Sequence, residues 1–99
     1  MVSLVLDAEM RLIRDETKRR ANLIRHGLDF ARVAEVFRGV TFTMPDDRFA
    51  YGEARYFTLG LLEATVVVVV HTEGNDMIRV ISFRKATRYE QRLYVENTR

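Results

Sequence analysis

The chain has 99 residues, enough for one domain with one hydrophobic core. Its composition, 47% hydrophobic and 30% charged residues, is typical of a globular protein and excludes a disordered chain. The absence of cysteine excludes disulfides, thiolate zinc sites and cysteine nucleophiles, and two histidines make a poor metal site, so we expect no metal and no cofactor. The longest apolar run, 64–70 with Thr65 inside it, is far shorter than the about 20 residues that span a bilayer, which predicts a cytoplasmic protein.

The net charge of +2 is unevenly distributed along the chain. Residues 40–76 contain two Lys/Arg and six Asp/Glu, whereas residues 77–99 contain six Lys/Arg and two Asp/Glu. A basic C-terminal quarter of this kind could bind a polyanion at one end of the fold. The alternative is that these charges only solvate the surface.

The first residues of the chain have no clear period. We expect residues 1–9 to be an N-terminal extension and residues 10–99 to form a single domain, with Met10 as an alternative start. Residues 11–14 alternate weakly between polar and apolar, which predicts a short edge strand.

Two helices are predicted next. Asp15 can cap a helix that runs to about His26 and ends at Gly27. Asp29 can cap a second helix that ends at Gly39. The apolar residues of the second helix recur with a helical period and are predicted to face the core: Phe30, Val33, Ala34 and Phe37.

The period then changes from helical to extended. Turn signals at Met44–Arg48 and Glu73–Asp76 separate the predicted strands, which are Val40–Thr43, Arg55–Leu62, Thr65–Thr72 and Met77 to about Arg84. The valines at 66–70 do not alternate with polar residues, which predicts a central strand covered on both faces.

The last predicted element is a helix from Arg88 to about Glu96, and Thr87 and Glu90 have the spacing of a capping box at its start. The element order is β-α-α-β-β-β-α, or the same with a fourth strand in the meander. Successive hairpins predict a small, mainly antiparallel sheet flanked by helices, which is an α+β fold.

The segment Arg79–Tyr94 contains the densest group of chemically active side chains. Its arginines can form paired hydrogen bonds with phosphate oxygens, although surface solvation is the alternative interpretation. On an unbulged strand Ser82 and Arg84 share one face, while Arg79 lies on the other. Arg84 is therefore the stronger candidate.

Two further features of this segment have alternative interpretations. Glu90 could act as a base, but its place in the capping box is the simpler role. Tyr89 or Tyr94 could stack on a nucleic-acid base or donate a proton.

A second polar group lies on the first helix. Lys18, Asn22 and His26 are spaced four residues apart and form one stripe, flanked by Arg19 and Arg25. His26 could transfer a proton, or it could stabilise the dipole at the helix end. His71 follows the valines inside a strand, and we predict that it is a hydrogen-bonded, partly buried side chain.

Several segments in the same order resemble the BrnT toxins along nearly the whole chain beyond residue 9. They are DETKRRANLIRHGLDFARVAEVF, PDDR, GEARYFTLGLL and VVVVVHTEGNDMIRVISFRKATRYEQRLY. The most specific parts are the pattern of Asp15, Lys18 and Asn22, the pair His26-Gly27, and the run from Arg79 to Tyr94. One position differs, because BrnT sequences usually have tryptophan where this chain has Arg14.

The resemblance implies a fold similar to RelE-type ribonucleases, cleavage of RNA and inhibition of translation. It also implies a partner, a BrnA-like ribbon-helix-helix antitoxin that forms a two-plus-two complex with the toxin. In this complex only the antitoxin contacts operator DNA. The catalytic candidates are then Arg84, Arg79, Glu90 and Ser82, and the RNA-binding candidates are Lys18, His26, Lys85, Arg88 and Tyr94.

Two other functions stay open at this point. A relative that keeps the fold and the antitoxin contact could act only as a co-repressor through its DNA-binding partner. A basic nucleic-acid-binding module would bind RNA with a steep salt dependence and would not cut it.

Overall fold

The computed structural model of the chain describes residues 11–13, 15–47, 52–74 and 77–99. The predicted extension at residues 1–9 and the residue Arg14 lie outside these ranges. No helix within them is both long enough and apolar enough to cross a bilayer. The elements are, in chain order, β1 (Arg11–Ile13), α1 (Glu16–His26), a 3-10 turn (Phe30–Arg32), α2 (Val33–Arg38), β2 (Phe42–Asp46), β3 (Arg55–Leu62), β4 (Thr65–Gly74), β5 (Met77–Lys85) and α3 (Arg88–Thr98).

The ends of α1 follow from its local sequence. The Asp15 carboxylate accepts hydrogen bonds from the N–H groups of Thr17 and Lys18, which have no partner within the helix. Gly27 takes the left-handed conformation, with φ 72°, and its N–H donates to the carbonyl of Leu23. Both predicted ends of the first helix are confirmed.

The second predicted helix is divided between the 3-10 turn and α2. Asp29 caps the 3-10 turn by accepting a hydrogen bond from the N–H of Ala31, and α2 ends at Gly39. Ala34 is half-buried. The residues of this stretch that are fully buried are Phe30, Val33, Val36 and Phe37.

In the ranges that the structure describes, five strands form one sheet in the order β1-β5-β4-β3-β2. β1 is parallel to β5, and all other neighbouring strands are antiparallel. This arrangement confirms the predicted α+β fold, the mainly antiparallel sheet and the edge position of the first strand. The meander has four strands, so the longer of the two predicted element orders is the observed one.

β2 differs from its prediction. The sequence predicts a strand over Val40–Thr43 and a turn over Met44–Arg48, but β2 continues through Pro45 to Asp46 and pairs with β3 over its whole length. A proline is tolerated there because β2 is an edge strand, on which one row of backbone groups has no neighbouring strand to pair with. The predicted turn therefore begins too early.

β4 lies inside the sheet, and its valines are buried on both faces. Val67 and Val69 pack against the 3-10 turn and α2, on what we call the α2 face. Val68 and Val70 pack with Tyr94 of α3 on the opposite face, which we call the α3 face. The prediction of a central strand covered on both sides is confirmed.

β5 contains a bulge at Ile81. Val70 pairs with Ser82 and His71 pairs with Val80, so Ile81 has no partner position on β4. A bulge of this kind shifts the alternation of side chains by one residue. Val80 and Phe83 consequently both pack on the α2 face.

The capping box predicted at the start of α3 is confirmed. Thr87 Oγ1 accepts a hydrogen bond from the N–H of Glu90 at 3.2 Å, and a Glu90 carboxylate oxygen accepts one from the N–H of Thr87 at 2.8 Å. The Tyr94 hydroxyl donates to the carbonyl of Val40 at 2.9 Å, which fixes the helix across the α3 face. Apolar residues on that face that stay half-buried include Met44, Phe57 and Ile81.

Candidate functional site

The bulge at Ile81 decides on which face the basic residues of β5 lie. Ser82 and Arg84 pair with β4 residues of the α3 face. Arg79 pairs with a β4 residue two positions away from the partner of Ser82, so it lies on the same face. The prediction that strand alternation separates Arg79 from Arg84 is wrong because it assumes an unbulged strand. The β4 partners of these two arginines are four positions apart, about 13 Å along the strand.

Arg84 is held by a carboxylate at the end of the strand. Its Nη1 and Nη2 donate to the two carboxylate oxygens of Glu90 at 2.8 and 2.9 Å. The Arg84 guanidinium is the main cause that lowers the pKa of Glu90 to about 2. A carboxylate with so low a pKa is a weak base near neutral pH. The contacts of Glu90 are therefore those of a residue that positions Arg84 and caps α3.

Arg79 has a carboxylate partner of its own. Its Nη2 donates to both oxygens of Glu53 at 2.6 and 2.8 Å, and this hydrogen bond lowers the pKa of Glu53. Both side chains are 39% exposed, so the ion pair contributes little to stability. The sequence does not reveal Glu53 as a site residue because the pairing depends on the register of β3, β4 and β5.

A shallow pocket of about 230 Å³ lies between α1 and β5 at the edge of the sheet. Among the residues that the structure describes, β1 pairs with the first three residues of β5, and α1 also contacts β5. Lys18 and His26 of α1 line the pocket together with Ser82 of β5, although the sequence places them in separate groups. Arg25 also lines the pocket and is a basic residue that the sequence prediction names only as a flank of the stripe.

Asn22 joins α1 to the edge of β5. Its Nδ2 donates to the carbonyls of Leu28 and Phe83 at 2.9 and 2.8 Å, and its Oδ1 accepts from the N–H of Phe83 at 3.0 Å. The side-chain amide of Asn22 thus forms with the backbone of Phe83 the two hydrogen bonds that the backbone of a neighbouring strand would form. Because Lys18 and His26 lie one turn before and after Asn22, its contacts place both side chains at the pocket.

The remaining RNA-binding candidates occupy different environments. Lys85 and Arg88 are exposed at the end of β5 and the start of α3. Tyr94 is only 7% exposed and its hydroxyl is hydrogen-bonded, so its ring belongs to the core and is not presented for stacking. Tyr89 is 64% exposed and is the aromatic side chain of α3 that a base can reach.

His71 lies in the core and not at the surface. Its Nε2 is 2.7 Å from Thr58 Oγ1, which is in turn 2.8 Å from Thr43 Oγ1. Burial lowers the pKa of His71 to about 4, so the ring is neutral near pH 7. The prediction of a hydrogen-bonded histidine is confirmed, and its burial is complete.

The protein is thus a small α+β protein with two features at its surface. Arginines and a serine lie on the α3 face of the sheet, and a basic pocket lies at the sheet edge. In the ranges that the structure describes, no group of three His, Cys, Asp or Glu side chains is placed to hold a metal ion. This combination indicates a protein that acts on a polyanion such as a nucleic acid.

Comparison with known families identifies the class. The family described as "Ribonuclease toxin, BrnT, of type II toxin-antitoxin system" matches residues 15–90, which is most of the chain. The chain therefore belongs to the BrnT family of ribonuclease toxins, and the resemblance found in its sequence is confirmed. No curated protein matches the chain in sequence. Because the family belongs to type II systems, a protein antitoxin is its partner.

Proposed function

We propose that this chain is an endoribonuclease that cleaves RNA in the cytoplasm and thereby inhibits translation. In the proposed reaction the 2′-hydroxyl of the RNA attacks the adjacent phosphate and displaces the 5′-oxygen of the next nucleotide, which takes up a proton from water and leaves a 2′,3′-cyclic phosphate, without a metal or cofactor. Such a reaction needs fixed positive charge where the phosphorane forms. The observation that supports the proposal is the row of Arg79, Ser82 and Arg84 along one face of β5.

Each residue of this row has a distinct role in the proposal. Arg84, oriented by Glu90, stabilises the phosphorane, and the Ser82 hydroxyl donates a hydrogen bond to a phosphate oxygen. Arg79 binds a neighbouring phosphate farther along the strand. Glu90 is too weak a base to accept the 2′-hydroxyl proton, so we assign that step to His26, which lines the pocket beside Ser82.

Lys85 and Arg88 extend the proposed RNA-binding surface beyond the end of β5. Both are exposed, and both follow Arg84 closely in the chain. Their contribution would be electrostatic and independent of RNA sequence.

The expected similarity to RelE-type ribonucleases stays a prediction.

The substitution Arg84→Ala tests the catalytic assignment. Loss of a fixed charge at the reacting phosphate is expected to slow cleavage on the order of 10²–10³-fold. The assay follows cleavage of a fluorescent single-stranded RNA by protein freed of its partner, with and without EDTA. Arg38→Ala is the matched control, because Arg38 is an exposed arginine at the end of α2, which packs on the face of the sheet opposite to Arg84. The control and EDTA are both expected to leave the rate unchanged.

The substitution Glu90→Gln separates orientation from charge. Glutamine at this position keeps the capping box, so α3 should begin normally, but it no longer holds Arg84 as an ion pair. We expect an intermediate loss of activity. If Arg84→Ala cleaves like the wild type, the assignment is wrong. If the wild type is folded and binds its partner but does not cleave RNA, the chain is a co-repressor and not an enzyme.

We further propose that the partner is a BrnA-like ribbon-helix-helix antitoxin. Two copies of each chain would form a heterotetramer that contacts operator DNA only through the antitoxin. Co-expression with the product of the neighbouring reading frame, followed by light scattering after gel filtration, measures this stoichiometry. A complex with one copy of each chain would contradict this proposal. Binding of operator DNA by the toxin alone would also contradict it.

A further inference from the structure

We propose that the pocket between α1 and β5 is a binding subsite for the RNA phosphate next to the one that is cleaved, and that it adjoins the cleavage site at Ser82 and His26. The proposal rests on RNA being the substrate, as proposed above. The side chains that define the subsite are Lys18 and Arg25 of α1 and Ser82 at the bulge of β5. Their juxtaposition depends on two features that the sequence does not reveal: the bulge and the contact of α1 with the sheet edge.

The charges of this pocket are not compensated in the way that those of the α3 face are. Arg79 and Arg84 each form an ion pair with a glutamate. In the part of the chain that the structure describes, no carboxylate lies within salt-bridge distance of Lys18 or Arg25. Two uncompensated cations and a hydroxyl in one small pocket favour a bound anion.

The helix positions that carry these two cations are fixed by the fold. The buried amide of Asn22 bonds the backbone of β5 at Phe83 and so holds α1 against the sheet edge. Lys18 and Arg25 lie four residues before and three residues after Asn22, which places them on the same side of the helix. The backbone frame of the pocket is therefore formed before any ligand binds, and the ordering entropy lost on binding is that of the exposed side chains of Lys18 and Arg25.

The pocket is continuous with the proposed cleavage site through Ser82. Ser82 lines the pocket and also pairs with Val70, a residue of the α3 face. Arg84 follows Ser82 by two residues on the same face, about 7 Å along the strand. A chain of phosphates that passes Arg84 can thus place its next phosphate in the pocket.

The lining of the pocket favours a nucleotide over an acidic protein segment. Besides its charges, the pocket has an apolar part formed by Ala21 and Ile81. A nucleotide offers both a phosphate for Lys18 and Arg25 and a ribose and base for this apolar part. An acidic side chain offers the charge but no ring to lie on this apolar part.

The test uses an RNA that binds and is not cleaved. A short 2′-O-methyl oligoribonucleotide with a fluorescent label lacks the attacking hydroxyl, so its affinity for the full chain is measured by fluorescence anisotropy without turnover. We expect the variant Lys18→Gln/Arg25→Gln to bind at least about tenfold more weakly, with a salt dependence lowered by about 0.7 in slope for one lost phosphate contact. Thermal melts establish that the variant is folded.

Arg20→Gln is the matched control. Arg20 lies on the same helix and carries the same charge, but it is exposed and does not line the pocket. We expect its affinity to stay within about twofold of the wild type. Equal losses for the control and the double variant, or no loss for either, would overturn the subsite.

Two further results separate this proposal from its alternatives. If the double variant binds RNA normally but no longer binds the antitoxin, the pocket recognises an acidic protein segment, and the RNA subsite is wrong. If the double variant loses binding of the uncleavable RNA while the wild type never cuts cleavable RNA, the subsite stands and the proposed ribonuclease activity fails.

Discussion

Replacement of Asn22 by alanine removes the contact that holds α1 against the sheet. Three backbone groups lose their partner, namely the carbonyls of Leu28 and Phe83 and the N–H of Phe83. A lost hydrogen bond costs on the order of 1 kcal/mol, and a buried group left without a partner costs more. The contact with Leu28 is partly buried, so water can replace it in part. We therefore expect the free energy of unfolding to fall by about 3 kcal/mol.

Urea denaturation followed by circular dichroism measures this loss. Arg20→Ala is the matched control, since it removes an exposed side chain from the same helix and is expected to change stability by less than about 0.5 kcal/mol. Asn22→Asp is expected to be worse than alanine at neutral pH, because it places a carboxylate oxygen against the carbonyl of Phe83. A loss below about 1 kcal/mol for Asn22→Ala would refute this account of the contact.

The remaining predictions concern the core. The pKa of His71 in the folded protein, about 4, lies below its ordinary value of 6.5, so only the unfolded chain takes up a proton between these values. The free energy of unfolding is therefore expected to be at its full value above pH 6.5 and to fall by about 3 kcal/mol as the pH drops to 4. Urea titrations at stepwise pH measure this loss, which a His71→Gln variant should lack. The same pH dependence in the variant and the wild type would contradict the prediction. Gly60→Ala would place a Cβ 2.6 Å from Val36 Cγ1, so it is expected to cost about 1–3 kcal/mol. Val36→Ala should reduce that cost in a double-mutant cycle, and additive losses would show that the crowding is not between these two residues.

Much of the fold follows from local signals in the sequence. Asp15 and Gly27 define the ends of α1, and the uninterrupted valines predict a strand buried on both faces. The capping box at Thr87 predicts the start of α3, because its two hydrogen bonds involve residues only three positions apart. Signals of this kind are complete within a few residues and do not depend on the rest of the chain.

The features that the sequence does not reveal depend on distant partners. Ile81 is unremarkable in sequence, with no glycine or proline beside it, and its bulge exists only in the register with β4. Pro45 is read as a turn residue because its place on an edge strand is not visible. Asn22 and Glu53 bind partners 61 and 26 residues away, so their roles appear only in the folded chain.

The carboxylate of Glu90 joins two elements that would otherwise be independent. One oxygen accepts from both Arg84 and the N–H of Thr87, so the same atom belongs to the end of β5 and to the start of α3. Unwinding of the first turn of α3 would therefore also weaken the ion pair between Glu90 and Arg84. Binding of one ligand to α3 and of another to Arg84 is thus energetically coupled through one side chain. Each ligand would change the affinity of the protein for the other.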